Sequence, residues 1–222
     1  MNNKLRVLVK IILLACFVCF TATMASATTY TFVGNGNWDN ANNWDANGVP
    51  PNPLPAGSEI IINPPQDAYG NWGQPVLNVA YEIDTGATLT IFPVAGTERA
   101  LRIEGGGLIN SGTVTINGTL SVSDNSTFIN QGTLVLGDQS RVTTGGTFTN
   151  SSRGTISVAS GGRLRVEGSL TNEGTLENRP GGTVETLTDA TLNNQGTFDN
   201  RGTFSNYGTL TGNAPVTPAP AP

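Results

Sequence analysis

Apolar and polar residues alternate along most of this chain in short runs, and the runs return at a nearly fixed interval. Between residues 108 and 210 one phrase recurs, apolar-x-Asn-x-Gly-Thr-apolar. It reads LINSGTV, FINQGTL, LTNEGTL and LNNQGTF, with FTNSSRGTI as a version carrying two extra residues. Aligned, Leu108, Phe128, Phe148, Leu170 and Leu192 share one column and Asn110, Asn130, Asn150, Asn172 and Asn194 the next. A period in the low twenties, made of alternating segments and carrying no helical pattern, predicts a solenoid in which each repeat is one coil.

Each period divides into three pieces. In the coil from Leu108 they are LIN, TVTI at 113–116 and TLSV at 119–122. Alternation sends one set of side chains inward and the other outward. Three short strands per coil make a triangular or L-shaped rung, and rungs stack at ~4.8 Å with their backbone groups paired above and below. The expected fold is therefore all-β, a single-stranded parallel β-helix of about six or seven coils and about 30 Å. At the end the phrase tightens to the hexads NNQGTF, DNRGTF and SNYGTL, which make a shorter last coil from Leu192 to Leu210 that would also suit a left-handed solenoid. The longer, uneven coils before it favour the right-handed form.

The asparagine column has a physical reason to exist. Asn tolerates the left-handed backbone region at a turn, and its amide can bond the same amide one rung away. The following Gly is expected to supply positive φ. Thr113, Thr133, Thr155, Thr175 and Thr197 form a parallel column suited to a pleated, half-exposed surface.

The rest of the chain divides around these repeats. Residues 1–27 read as a secretory signal peptide cut after Ala27, with Lys4, Arg6 and Lys10 before the apolar IILLACFVCF and a small-x-small site at Ala25 and Ala27. Leu-Leu-Ala-Cys16 loosely matches a lipoprotein signal, but cutting there would leave the apolar FVCF on the product. Residues 28–75 are rich in Trp and Pro and read as a cap, with rungs beginning near Val76 and running to 212. Residues 213–222 read as a disordered Pro-rich tail, because Pro cannot extend a ladder. Without residues 1–27 the chain keeps no Cys, Met, Lys or His, and eight Arg face sixteen Asp plus Glu. Thiol chemistry, a disulfide framework and thiolate metal sites are thereby excluded. An acidic chain without a basic cluster argues against nucleic acid or an anionic membrane as partner, and no other stretch is apolar enough to span a bilayer.

The segment TYTFVGNGNWDNANNWDANGVPPNPLPAGSEIIIN, with Gly36, Trp38, Asn43, Trp44, Gly48, Pro50, Pro51 and the apolar strand at 60–62, resembles the opening of many secreted bacterial β-helix proteins. Together with the repeats it makes the chain similar to autotransporter passengers and filamentous-haemagglutinin-like surface proteins. Glu59 stands where that opening often has Asp. The resemblance implies an exported or cell-surface rod with a structural, adhesive or matrix role.

Candidate chemistry is sparse. Trp38, Trp44 and Trp72 are either the buried aromatics of a cap or a platform for glycans; buried cap aromatics are the commoner case. Asp39, Asn40, Asn42 and Asp45 lack calcium-loop spacing and read as turn residues. Glu167, Glu173, Glu177, Glu185 and Asp189, with Arg163 and Arg165 facing outward beside Leu164 and Val166, are what a polysaccharide lyase or hydrolase would have to use. An outward Arg/Glu patch is ordinarily solvated, so no catalytic, metal or cofactor residue is assigned. An ice-binding face needs paired Thr-x-Thr rows, and Thr115 and Thr149 do not recur in register with the main Thr column. The expected partners are surface or matrix glycans or proteins, and other copies of the chain through end-to-end contacts that could grow into filaments.

Overall fold

A computed structural model describes residues 27–62, 75–92 and 101–217. The leader up to Ser26, Trp72, the loop at 93–99 and the tail from Pro218 lie outside them. The described chain is a parallel β-solenoid with three faces. Face one stacks Thr29–Phe32, Glu59–Ile62, Thr88–Ile91, Thr113–Ile116, Thr133–Leu136, Thr155–Val158, Thr175–Asn178 and Thr197–Asn200. Face two stacks Gly36–Asn37, Pro75–Leu77, Leu101–Ile103, Thr119–Val122, Arg141–Thr144, Arg163–Val166, Thr183–Thr186 and Thr203–Asn206. Face three runs from Ala80–Ile83 through Gly107–Asn110, Thr127–Asn130, Thr147–Asn150, Ser169–Asn172 and Thr191–Asn194 to Thr209–Gly212. The eight strands of face one give a rod of about 34 Å at the rung spacing of ~4.8 Å.

Inside the triangle the core is built from columns of like residues. Leu134 lies opposite Val114 and Ile156, Phe128 stacks on Phe148 at 4.7 Å and 10°, and all five are fully buried. The rungs begin at Thr29 rather than near Val76, since Thr29–Phe32 pairs in parallel with Glu59–Ile62 and that strand with Thr88–Ile91.

The uneven period has a simple origin. Strands from Gly107 onward hold four residues, and the corners between them hold either two or four. The coil from Leu108 to Phe128 has one of the longer corners. Two of them stretch the coil from Phe148 to Leu170, and the last coil, from Leu192 to Leu210, is the shortest because it has none. Left-handed residues sit in the longer corners, at Asn125, Gln139 and Asp189.

The shorter corner works differently from the sequence reading. Its asparagine is fully buried and still in the strand, and neither it nor the following glycine has positive φ. Glycine is needed because stacked corners touch: a Cβ on Gly132 would lie 2.2 Å from the Gly112 carbonyl oxygen, and one on Gly196 2.1 Å from that of Gly174. The asparagines form a directional chain. Asn110 Nδ2 donates to Asn130 Oδ1 (2.8 Å), and the same bond at 2.7 Å links Asn130 to Asn150, Asn150 to Asn172 and Asn172 to Asn194. Each amide also donates to the carbonyl oxygen of the corner threonine one rung on, as Asn150 does to Thr175 at 3.1 Å. A second ladder begins at the next corner, Asn178 to Asn200 at 2.7 Å.

The two ends differ. At the N-terminal end the outer edge of every face is occupied. Asp45 N–H donates to Thr31 O and Thr31 N–H to Asp45 Oδ2. Asn47 Nδ2 covers Thr29 O, Asn43 Nδ2 covers Asn37 O, and Asn52 and Leu54 cover Ala80 and Glu82. Beneath them Trp38, Trp44, Phe32 and Tyr81 plug the core. At the C-terminal end, residues 213–217 are not a free tail. Val216 pairs in parallel with Asp199 across face one, and Asn213 terminates the asparagine ladder by accepting from Asn194 Nδ2 at 2.8 Å.

A pH-sensitive group lies beneath the cap. Tyr81 is 3% exposed and its hydroxyl donates to Pro51 O at 2.7 Å. Burial, reinforced by the nearby Tyr30 phenol, raises its pKa well above the ordinary tyrosine value. The folded state thus holds this proton more tightly than the unfolded one. Its contribution is complete below the unfolded pKa of about 10 and is lost as pH climbs above it. Thermal melts between about pH 9 and 12 are expected to show wild type falling more steeply than Tyr81→Phe, which lacks the proton and gives up only about 1 kcal/mol for the Pro51 bond. Parallel slopes would show that Tyr81 does not govern alkaline unfolding.

Candidate functional site

Among the described residues a site would lie at the outward positions, and the three faces present different chemistry there. Face one carries the threonine column, Thr88, Thr113, Thr133, Thr155, Thr175 and Thr197 in unbroken register. Thr115 lies in the adjacent column beside Thr90 and is followed by Val135; Thr149 is on face three, beside Thr171. From Gly107 to Gly212 no strand of face three bears a charge. Face two carries the arginines: Arg141 and Arg163 are rung neighbours in one column, and Arg165 stands between Thr143 and Glu185 in the next.

The carboxylates considered for catalysis do not converge. Glu185 is on face two and Glu177 on face one, while Glu167, Glu173 and Asp189 sit in three separate corners. On faces one and two from Arg163 onward each strand-borne acid is tied to arginine. Arg163 Nη2 reaches Glu185 Oε2 at 2.9 Å, Arg165 Nε is 3.2 Å from Glu167 and 3.8 Å from Glu185, and Arg179 pairs with Glu177 and Arg201 with Asp199 at 3.2 Å. These are exposed pairs, worth about 0–1 kcal/mol each. Glu177 and Asp199 are rung neighbours, and with Asn178, Arg179, Pro180 and Arg201 they line an open corner cleft of about 260 Å³. Two carboxylates answered by two guanidiniums make a neutral, polar corner.

For Trp38 and Trp44 burial decides for the cap and against the glycan platform, while Trp72 lies outside the described residues. Trp38 is 1% and Trp44 4% exposed; they meet edge to face at 4.7 Å, and Trp44 Nε1 donates to Trp38 O at 2.7 Å. Neither ring offers a face on which a sugar could stack, because both fill the end of the core. The neighbouring polar residues make turns: Asp45 Oδ1 accepts from Asn47 N–H and Asn40 Oδ1 from Asn42 N–H. No group of three His, Cys, Asp or Glu side chains is placed to hold a metal ion among the described residues.

With the coils and their outward faces defined, the comparison with known families is decisive. The haemagglutinin repeat matches twice, over residues 77–152 and 153–214. The chain belongs to the haemagglutinin-repeat family. The comparisons with curated proteins and with solved structures give no match. The junction between the two haemagglutinin repeats falls within the longer corner after Asn150, and the Trp-rich cap lies outside both. Haemagglutinin repeats imply an adhesin-like β-solenoid on a cell surface or secreted from it. No helix among the described residues is long and apolar enough to cross a membrane.

Sequence reasoning missed the cleft at Glu177 and Asp199. The available signal was the pair of short phrases TLENR and TFDNR, whose acid and arginine hold the same offset in both copies.

Proposed function

We propose that the chain is an exported, non-enzymatic adhesive rod that binds glycans or proteins of a cell surface or matrix through its long outward faces. The observation carrying this reading is the pair of haemagglutinin repeats laid over faces whose strand-borne acids are all engaged by arginine on faces one and two from Thr175 onward. Such a surface can hold a partner by many weak polar contacts, and it offers no free acid–base pair to cleave one. Residues 1–27 would direct export, leaving a product from Thr28.

The chain from Thr28 is expected to be retained on immobilised glycans or matrix proteins in a saturable way and to leave soluble acidic polysaccharides uncut. Steady chain cleavage that Glu177→Gln abolishes would replace the adhesive reading with an enzymatic one. Absence of both retention and cleavage would leave a purely structural rod.

A further inference from the structure

The C-terminal end of the rod is sealed on one face and open on two. Residues 213–217 cover face one, where Val216 N–H donates to Phe198 O and Val216 O accepts from Asn200 N–H, both at 2.8 Å. Pro215, beside it, has no N–H to offer a further strand. Faces two and three end on Thr203–Asn206 and Thr209–Gly212, each paired on one side only among the described residues. Thr203 and Tyr207 send their N–H groups back to Gly182 O (2.9 Å) and Thr186 O (2.8 Å). By the alternation of a parallel strand, Phe204 and Asn206 therefore direct their N–H and C=O groups out of the end. The core is open there too: Phe204 and Leu210 are only partly covered, and Tyr207 is 66% and Val216 60% exposed.

Two observations identify what fits this end. The opposite end has its edges filled on all three faces, so a head-to-tail stack has nothing to pair with. No charged residue lies between 202 and 217, so in an acidic chain two copies can meet at this end without setting like charges against each other.

We propose that this end docks on the same end of a second copy, with Thr203–Asn206 pairing antiparallel to its counterpart about a twofold axis at Ser205. Phe204 of each copy then exchanges two hydrogen bonds with Asn206 of the other, and the two Ser205 residues face each other as a non-hydrogen-bonded pair with Cα atoms ~4.5 Å apart. The contact is isologous and closes, so assembly stops at a dimer. This replaces the open filaments expected from the sequence and does not depend on the adhesive reading, although a dimer doubles the faces available to any partner.

Sedimentation velocity on the chain from Thr28, over a wide concentration range, is expected to show monomer and dimer with nothing larger. Ser205→Lys sets like charges directly opposite and should weaken dimerisation at least about tenfold, with an unchanged β-sheet spectrum. Since the chain has no Cys after residue 27, Ser205→Cys should oxidise to one covalent dimer, because the Cα separation suits a disulfide. Ser121→Cys, in the same outward column at mid-rod, should not. Monomer at every concentration, filaments that lengthen with concentration, or equal crosslinking at residues 121 and 205 would each overturn the proposal.

Discussion

Gly174→Ala is expected to cost about 3 kcal/mol or more and to make the urea transition less cooperative than that of the wild type. A methyl at that position would lie 2.2 Å from Gly154 O, 2.4 Å from Ser151 O and 3.1 Å from Asn150 Nδ2. The first two atoms are backbone and cannot swing aside, so the rungs themselves must separate. Separation strains the bonds crossing this corner, among them Thr175 N–H to Gly154 O at 3.0 Å and Glu173 N–H to Asn150 O at 2.7 Å. In a solenoid each coil touches only its neighbours, so a fault in the middle weakens coupling between the two halves as well as the coil that carries it. Urea melts followed by circular dichroism should show a lower midpoint together with a shallower or two-step slope. A loss below about 1 kcal/mol, with the slope unchanged, would mean that the corner can relax and that close approach is not why glycine stands there.

That prediction marks where the sequence was informative about outcome and silent about cause. The phrase Asn-x-Gly-Thr made the coil legible, because a recurring column of Leu108, Phe128, Phe148, Leu170 and Leu192 is what stacked rungs with a shared core require. Positive φ and close backbone approach both demand glycine, so the letter alone could not say which applied. Only the stacked carbonyl oxygens decide it. The first rungs escaped notice because Thr29, Glu59 and Thr88 share a column in space yet stand farther apart in sequence than the later rungs, and long insertions hide a period that the sheet keeps. Trp38 and Trp44 sit among Gly, Asn and Asp, a context that allows both a cap and a surface platform. The cap reading is the commoner one because the end of a core needs a plug, and burial of both rings bears it out. The acids from Glu167 to Asp189 looked clustered because they are close in sequence. In a three-faced coil the short step from Glu177 to Glu185 carries a side chain around a corner to another face.

The asparagine ladder allows a sharper test because its polarity makes its members unequal. Asn150 is in the middle: its Oδ1 accepts from Asn130 (2.7 Å), and its Nδ2 donates to Asn172 Oδ1 (2.7 Å) and Thr175 O (3.1 Å). Asn150→Leu keeps a branched side chain of similar reach while breaking both links: Asn130 Nδ2 keeps only the carbonyl oxygens of Gly132 and Thr155, and the buried Asn172 Oδ1 loses its donor. With about 1–3 kcal/mol for the unsatisfied Asn172 Oδ1 and about 1 kcal/mol for the lost Asn130 link, the expected loss is about 2–4 kcal/mol. Asn110 begins the ladder. The rung before it offers Ile83 in the same column, so its Oδ1 is buried without a partner among the described residues. Asn110→Leu removes that orphan and creates another at Asn130 Oδ1, so the unsatisfied acceptor merely moves one rung and the expected loss is about 1 kcal/mol or less. Chemical denaturation of the two variants side by side measures the difference. Equal losses would show that these asparagines act as independent corner residues, each bonding its local carbonyls. A large gap in favour of Asn110→Leu would show that the stacked amides act as one directional chain along the rod.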